Sequence, residues 1–423
     1  MPFMSPPGCG SGFISPDTRP APVDEEPVFM TEITPIIDIE RHLSQRARRV
    51  HGSLGKQTSV PIPGLINLGS GTPDFLPPSS VFEAMQDAVR SARIQYTAWT
   101  GIPELRAAIA EKLRTENGIS YHPDSEIIVT SGAQEALMTT LMTLLDPGDE
   151  ALTPSPHYDE YTRDAAILGG TLVPVPTRPE TNFTIDPAAL EAAITPRTKA
   201  LVIVTPSNPT GTVLPEATLR AIAEVAIRRD LIVISDEIYE YYVFDGHRHI
   251  SMASLPGMRE RTVTINSFSK SFAMTGLRLG YIAAPAALIE AMLPFHHAMM
   301  ICANTITQYA GLAALQTPRD WFRDVLSEYD RRRQLWMRTL NEIGLPFSEP
   351  QGAYYVFFDI RSTGLTSAEF VAKAREEARL VFQPGTIGGG AGEGFIRGAL
   401  TKGSPDFETG LERLRAFVNG LRK

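Results

Sequence analysis

Four short stretches of this 423-residue chain carry side chains whose types suit chemistry. Ser267-Phe268-Ser269-Lys270 presents an amine, with Arg278 eight residues further on. Asp236-Glu237-Ile238-Tyr239 presents a carboxylate and a phenol, and Ser207-Asn208-Pro209-Thr210-Gly211 presents an amide in a turn. Ser131-Gly132-Ala133-Gln134 is a run of small residues placed to open a helix. A lysine amine is a nucleophile that forms a Schiff base with an aldehyde. A helix start offers free backbone N–H groups and a positive dipole end to an anion. Each stretch alone has a plainer reading. A lysine after a strand is ordinarily solvated, Asp236 could cap a helix, and Arg278 could sit in a structural salt bridge.

The elements that must position these residues are legible around them. Residues 126–130 (EIIVT), 200–205 (ALVIVT), 231–235 (LIVIS) and 262–266 (TVTIN) are short, continuously apolar runs. Such runs predict strands buried on both faces of a mostly parallel sheet. Helices are predicted over 134–145 and from Pro215 onward, the latter with Leu219, Ile222, Val225 and Ala226 on one face. The expected fold is α/β, with a doubly wound central sheet in a large domain over 76–319. In such sheets ligands gather outside the carboxyl ends of the strands. Each of the four stretches follows a predicted strand directly, so the topology delivers them to one edge. There the amine suits an aldehyde, and Asp236 suits a protonated pyridine nitrogen. The helix start, with Ser267 and Arg278, suits a phosphate. Pyridoxal 5′-phosphate carries all three groups. From about residue 320 the pattern changes. A charged helix over 330–340, a strand over 353–359 and helices over 367–379 and 407–421 predict a smaller α+β domain at 320–423. Segment 31–75 is its expected N-terminal arm.

With these residues in view, the chain resembles the class I/II aminotransferases of the fold-type-I pyridoxal-phosphate enzymes. Residues 267–280 (SFSKSFAMTGLRLG) match that family's lysine signature throughout. Asn208-Pro209-Thr210-Gly211, Asp236-Glu237-Ile238-Tyr239, residues 69–75 (GSGTPDF) and Tyr96 with residues 101–106 (GIPELR) fall in family order. The resemblance implies that Lys270 holds the cofactor aldehyde and later moves the proton. It implies that Asp236 pairs with the ring nitrogen, a contact worth about 4 kcal/mol at 4 Å and an effective dielectric of 20. Asn208 and Tyr239 are the expected partners of the phenolic oxygen, and Tyr158 stacks on the ring. Tyr158 could also be core packing, or lie one position from the true stacker. The backbone of Ala133 and Gln134, Ser267 and Arg278 would hold the phosphate, with Ser269 as a helper. Tyr96 would reach the phosphate of a neighbouring subunit, which implies a homodimer. Arg397 would grip the substrate α-carboxylate as a bidentate fork, helped by the Gly71 N–H. The implied activity is ping-pong transfer of an amino group from an L-α-amino acid to a 2-oxo acid. Aspartate with 2-oxoglutarate comes first, and alanine, methionine and aromatic donors stay open. The turn over 132–135 offers no Lys or Arg for a second carboxylate. A carbon–sulfur β-lyase or synthase of the same fold carries the same motifs. An aminotransferase-like regulatory domain would need a DNA-binding domain before it.

Composition narrows the classes. Lys plus Arg is 39 against 48 Asp plus Glu, a net charge of −9, which is the wrong sign for nucleic acid or an anionic membrane. Two cysteines give no disulfide framework and suit a reducing, cytoplasmic setting. No apolar run reaches the roughly 18 residues of a membrane span. The first 30 residues hold seven Pro and three Gly and read as a disordered tail without secretory character. Met30 is one candidate for the natural start, with the tail an upstream extension of the reading frame. His247-Arg248-His249 and His296-His297 lack an evident acidic companion set, so no metal is expected. Arg331-Arg332-Arg333 reads as the charged face of a helix.

Overall fold

The computed structural model describes residues 39–51 and 63–422. The Pro/Gly-rich stretch 1–30 and parts of the arm 31–75 lie outside the described residues. One helical turn, Ile39–His42, belongs to a unit of its own. The second unit, from Ser44 onward, contains everything that follows.

Among the described residues there are twelve strands: β1 (Ile66–Asn67), β2 (Ile127–Thr130), β3 (Glu150–Ser155), β4 (Thr171–Pro176), β5 (Thr198–Val204), β6 (Ile232–Asp236), β7 (Thr262–Ser267), β8 (Gly280–Ala283), β9 (Tyr355–Asp359), β10 (Leu380–Val381), β11 (Gln383–Pro384) and β12 (Phe395–Ala399). Seven form one sheet in the order β2-β8-β7-β6-β5-β3-β4. Six run in one direction, and β8 is antiparallel to both of its neighbours. Alternation along β5 shows why the sheet is covered on both sides. Ala200 and Val202 face the core under helix Gly132–Leu144, together with Ala136, Leu137 and Leu141. Leu201 and Ile203 face the opposite core, with Leu219, Ile222 and Val225 of helix Glu216–Arg228. Burying each of the Val, Leu and Ile side chains among these is worth about 1.5–3 kcal/mol.

Three strands of the sheet carry no clear signal in the sequence. β3 and β4 hold Pro154, Pro174 and Pro176, which argue against strand. β4 lies at the sheet edge, where missing N–H donors are tolerated. β8 has only four residues.

A second, antiparallel sheet has the order β11-β12-β9, and β1 pairs in parallel with β10. Through that pairing Ile66 and Leu68 join the core of Trp336, Leu340, Phe358 and Leu414. The helix expected over 330–340 is longer, Arg319–Glu342. Of its arginine triplet only Arg331 lies on the exposed face. Arg332 and Arg333 are buried, Arg332 against Glu328 and Asp74 and Arg333 against Asp330 and Asp245. Their charges tolerate burial because each meets two carboxylates. Arg332 thereby anchors the loop that follows β1. Among the described residues no helix is long and apolar enough to cross a membrane.

Candidate active site

The carboxyl ends of β2, β5, β6 and β7 open on one cavity of about 340 Å³. Gly71, Ala133, Gln134, Tyr158, Asn208, Asp236, Tyr239, Ser267, Lys270, Arg278 and Arg397 all line it, and so does Ser269. The reversed strand β8 explains how Arg278 arrives there. Gly280 pairs with Thr130 and Ser267, so β8 starts at the edge where its neighbours end. Arg278, just before it, is set in the left-handed region at φ 51°. Gly132 has φ +79°, and a Cβ there would lie 2.8 Å from Arg278 Nη2, so only glycine lets the guanidinium rest on the helix start. Ser131 makes no side-chain cap to helix Gly132–Leu144. The first N–H groups of that helix therefore face the cavity beside Arg278.

Asp236 ends β6 and is buried. Its Oδ2 accepts from Tyr161 Oη at 2.6 Å and its Oδ1 from the Ile238 N–H at 3.2 Å. Burial pushes its carboxyl up to about 6, against the pull of these two donors. Lys270 Nζ donates to the Gly71 carbonyl at 2.6 Å. Burial depresses the lysine's pKa, the nearby Tyr355 opposes this, and the Arg397 and Arg278 charges add to the fall. Ser267 caps the short helix Phe268–Ser271 by accepting from the Ser269 N–H at 3.0 Å. The buried Ser269 hydroxyl has no partner among the described residues.

Arg397, on β12, comes from the other sheet. Its Nη1 donates to Asn208 Oδ1 at 2.9 Å and its Nη2 to the Gly69 carbonyl at 3.0 Å. The guanidinium lies 4.5 Å from the Tyr355 ring centroid, and its Nε is buried without a partner among the described residues. Among the described residues neither Arg397 nor Arg278 has a carboxylate within 4.0 Å, whereas most of the chain's other arginines have one. Two cations in one cavity thus lack counter-ions, which fits a ligand with two anionic groups. The donor set, with an amine, a buried carboxylate and an uncapped helix start, fits a pyridine aldehyde phosphate.

Tyr96 stands apart from this group. It is 79% exposed and borders a separate surface hollow with Cys302 and Asn304. Tyr161 and Tyr355 also line the cavity and belong to none of the sequence motifs, and Thr72 and Thr275 join them from within two of those motifs. Tyr161 follows Tyr158 by three residues on one helix turn, a spacing that could have drawn attention to it. Tyr355, on β9 of the other sheet, meets Tyr239, Oη to Oη at 2.9 Å. Contrary to the sequence expectation, His249 does have acidic companions. His249 Nε2 lies 3.0 Å from Glu237, and with Glu240 these form an acidic group around the histidine. Protein donors already engage both carboxylates: Ser235 and Ser251 on Glu237, Lys112, Asn117 and Asn266 on Glu240. His296 is buried between Glu135 and the Trp99 carbonyl, each at 2.7 Å.

Comparison with known proteins agrees with this geometry. The family model for aminotransferase class I and II matches residues 63–411. An aspartate aminotransferase of Pyrococcus abyssi is 44% identical over 84% of this chain and 92% of its own. Aromatic-amino-acid aminotransferase 2 of Thermococcus litoralis is 42% identical over the same shares. The crystal structure of an aromatic aminotransferase from Pyrococcus horikoshii superposes with a TM-score of 0.84 at 41% identity, covering 89% of this chain and 99% of that one. The chain belongs to the class I and II aminotransferases and is a transaminase.

Proposed function

We propose that the cavity holds pyridoxal 5′-phosphate and moves the amino group of an L-α-amino acid to a 2-oxo acid in two half-reactions. The single observation behind this reading is the convergence of Lys270, Asp236 and two arginines without counter-ions in one cavity. When bound, the cofactor supplies an aldehyde that condenses with amines and a protonated ring that accepts the electron pair left at the α-carbon. Arg278, Ser267 and the N–H groups at Ala133 and Gln134 would hold its phosphate. Asp236 would keep the proton on the ring nitrogen, and Tyr158 would cover the ring. Asn208 and Tyr239 would face the phenolic oxygen. Arg397 and the Gly71 N–H would orient the α-carboxylate. Burial and two neighbouring cations favour the uncharged amine of Lys270, the form able to take a proton from Cα and return it at C4′.

Aspartate with 2-oxoglutarate and an aromatic donor with 2-oxoglutarate are the first pairs to assay, given what the relatives are named for. A cytoplasmic homodimer is part of the same reading. Tyr96, Trp99, Ile94 and Leu76 are large, apolar and more than half exposed, as a subunit interface would require. Light scattering reads the dimer directly. For the site, borohydride treatment of the cofactor-loaded protein should fix the cofactor on the peptide holding Lys270. Lys270→Ala should abolish both the labelling and the transfer. Labelling that survives in Lys270→Ala would show another lysine to be responsible.

A further inference from the structure

Asp236 is a buried carboxylate with no cation within 4.0 Å among the described residues, so its two oxygens depend on neutral donors. The stronger donor is Tyr161 Oη, at 2.6 Å. Tyr161 lies in helix Asp159–Leu168 with its ring fully buried. The same ring meets Tyr158 edge-on, 5.5 Å between centroids and 88° between planes. Burial and the adjacent Asp236 charge hold the Tyr161 phenol well above its ordinary pKa, so it stays a donor. The other groups facing Asp236 work in opposite senses. Glu237 raises its proton affinity, and Lys270 and the Ile238 N–H lower it. A carboxylate oxygen has two lone-pair directions. Oδ2 is engaged by Tyr161 and Oδ1 by Ile238, which leaves each oxygen one further direction, and Asp236 lines the cavity.

We propose that Tyr161 is a positioning residue for the transamination. Its hydroxyl keeps Asp236 ionised and aimed at the cofactor's ring nitrogen, while its ring braces Tyr158. This role rests on the pyridoxal-phosphate assignment above. Without the hydroxyl, Asp236 binds its own proton more tightly and competes with the ring nitrogen for it. A less fully protonated ring draws electrons less strongly. The lysine-bound chromophore then keeps its own proton to higher pH.

The test is Tyr161→Phe in the full chain, alone and combined with Asp236→Asn. Three readouts are taken: absorbance against pH for the cofactor-loaded protein, the cofactor dissociation constant, and steady-state kinetics. A hydrogen bond to a charged group predicts a kcat about tenfold to a hundredfold lower with KM for the amino donor nearly unchanged. The chromophore's pH midpoint should rise by about one unit. In the Asp236→Asn background the same change should move neither quantity further. A single variant with the wild-type pH profile would overturn the role. So would a full effect of Tyr161→Phe persisting in the Asp236→Asn background, since the hydroxyl would then act elsewhere. Thermal melting of all variants reports whether they fold, and the comparison within the Asp236→Asn background stays readable if the single variant melts early. If wild-type protein takes up no pyridoxal 5′-phosphate, the cofactor assignment fails instead, which is a distinguishable result.

Discussion

Replacing Arg397 by lysine keeps one positive charge in the cavity and removes the fork that positions it. The residue is 9% exposed, and its guanidinium spans two acceptors on different segments, Asn208 Oδ1 and the Gly69 carbonyl. It also lies over the Tyr355 ring at 4.5 Å. An ammonium reaches one of these acceptors at a time and presents a point charge to a carboxylate. Losing one charge-assisted hydrogen bond costs about 1.5–3 kcal/mol, and a cation–π contact adds about 0.5–1. A total near 2–4 kcal/mol corresponds to about 30-fold to 1,000-fold in kcat/KM for the amino donor. The cofactor's phosphate end is addressed by Arg278 and the helix start instead, so its dissociation constant should stay within about threefold. Initial rates with a panel of amino donors against 2-oxoglutarate, together with a cofactor titration, read the two quantities separately. If kcat/KM stays within about twofold of wild type for every donor, or if cofactor affinity falls in parallel, Arg397 is not the carboxylate fork.

Gly132→Ala forces a side chain into φ +79° and against Arg278, so cofactor affinity should fall about tenfold with only a modest loss of melting temperature; unchanged affinity would show that this contact does not set the phosphate site. Asp164 is buried beside Gln134, which donates to it at 2.8 Å, and burial raises its carboxyl to about 7. A carboxyl with a folded pKa above its unfolded value favours the native state below about pH 4, and that contribution is lost as pH rises through about 7. Asp164→Asn keeps an acceptor for Gln134, so it should raise the melting temperature of the apoprotein at pH 8 and change it little at pH 4; equal shifts at both values would refute the assignment. Asp236→Asn should by the same linkage flatten the loss of apoprotein stability between about pH 4 and pH 6, as melting curves across that range would show.

Local chemistry carried most of the site. A nucleophilic amine, an acid and a helix start each follow a strand that is continuously apolar because it is buried on both faces. Parallel strands then share an edge, so chain order alone forecast that Asn208, Asp236 and Lys270 would meet. What the chain order hid depends on pairing between distant segments. β8 runs backwards, and this is why Arg278 reaches the helix start at Gly132. Arg332 and Arg333 look like a solvated stripe until Asp74 and Asp245, roughly 250 and 90 residues earlier, come to pair with them.

The sequence by itself determined the reactive groups, their order and the strands that carry them, since those follow from residue type and short-range periodicity. Tertiary structure alone decided which groups have partners. Among the described residues Arg397 is left with an orphan Nε and no acid, while Arg332 meets two carboxylates. Tyr161 is turned onto Asp236 and Tyr355 onto Tyr239. Hydrogen bonds and ion pairs depend on ångström-scale distances between segments far apart in the chain, and no local pattern encodes those distances.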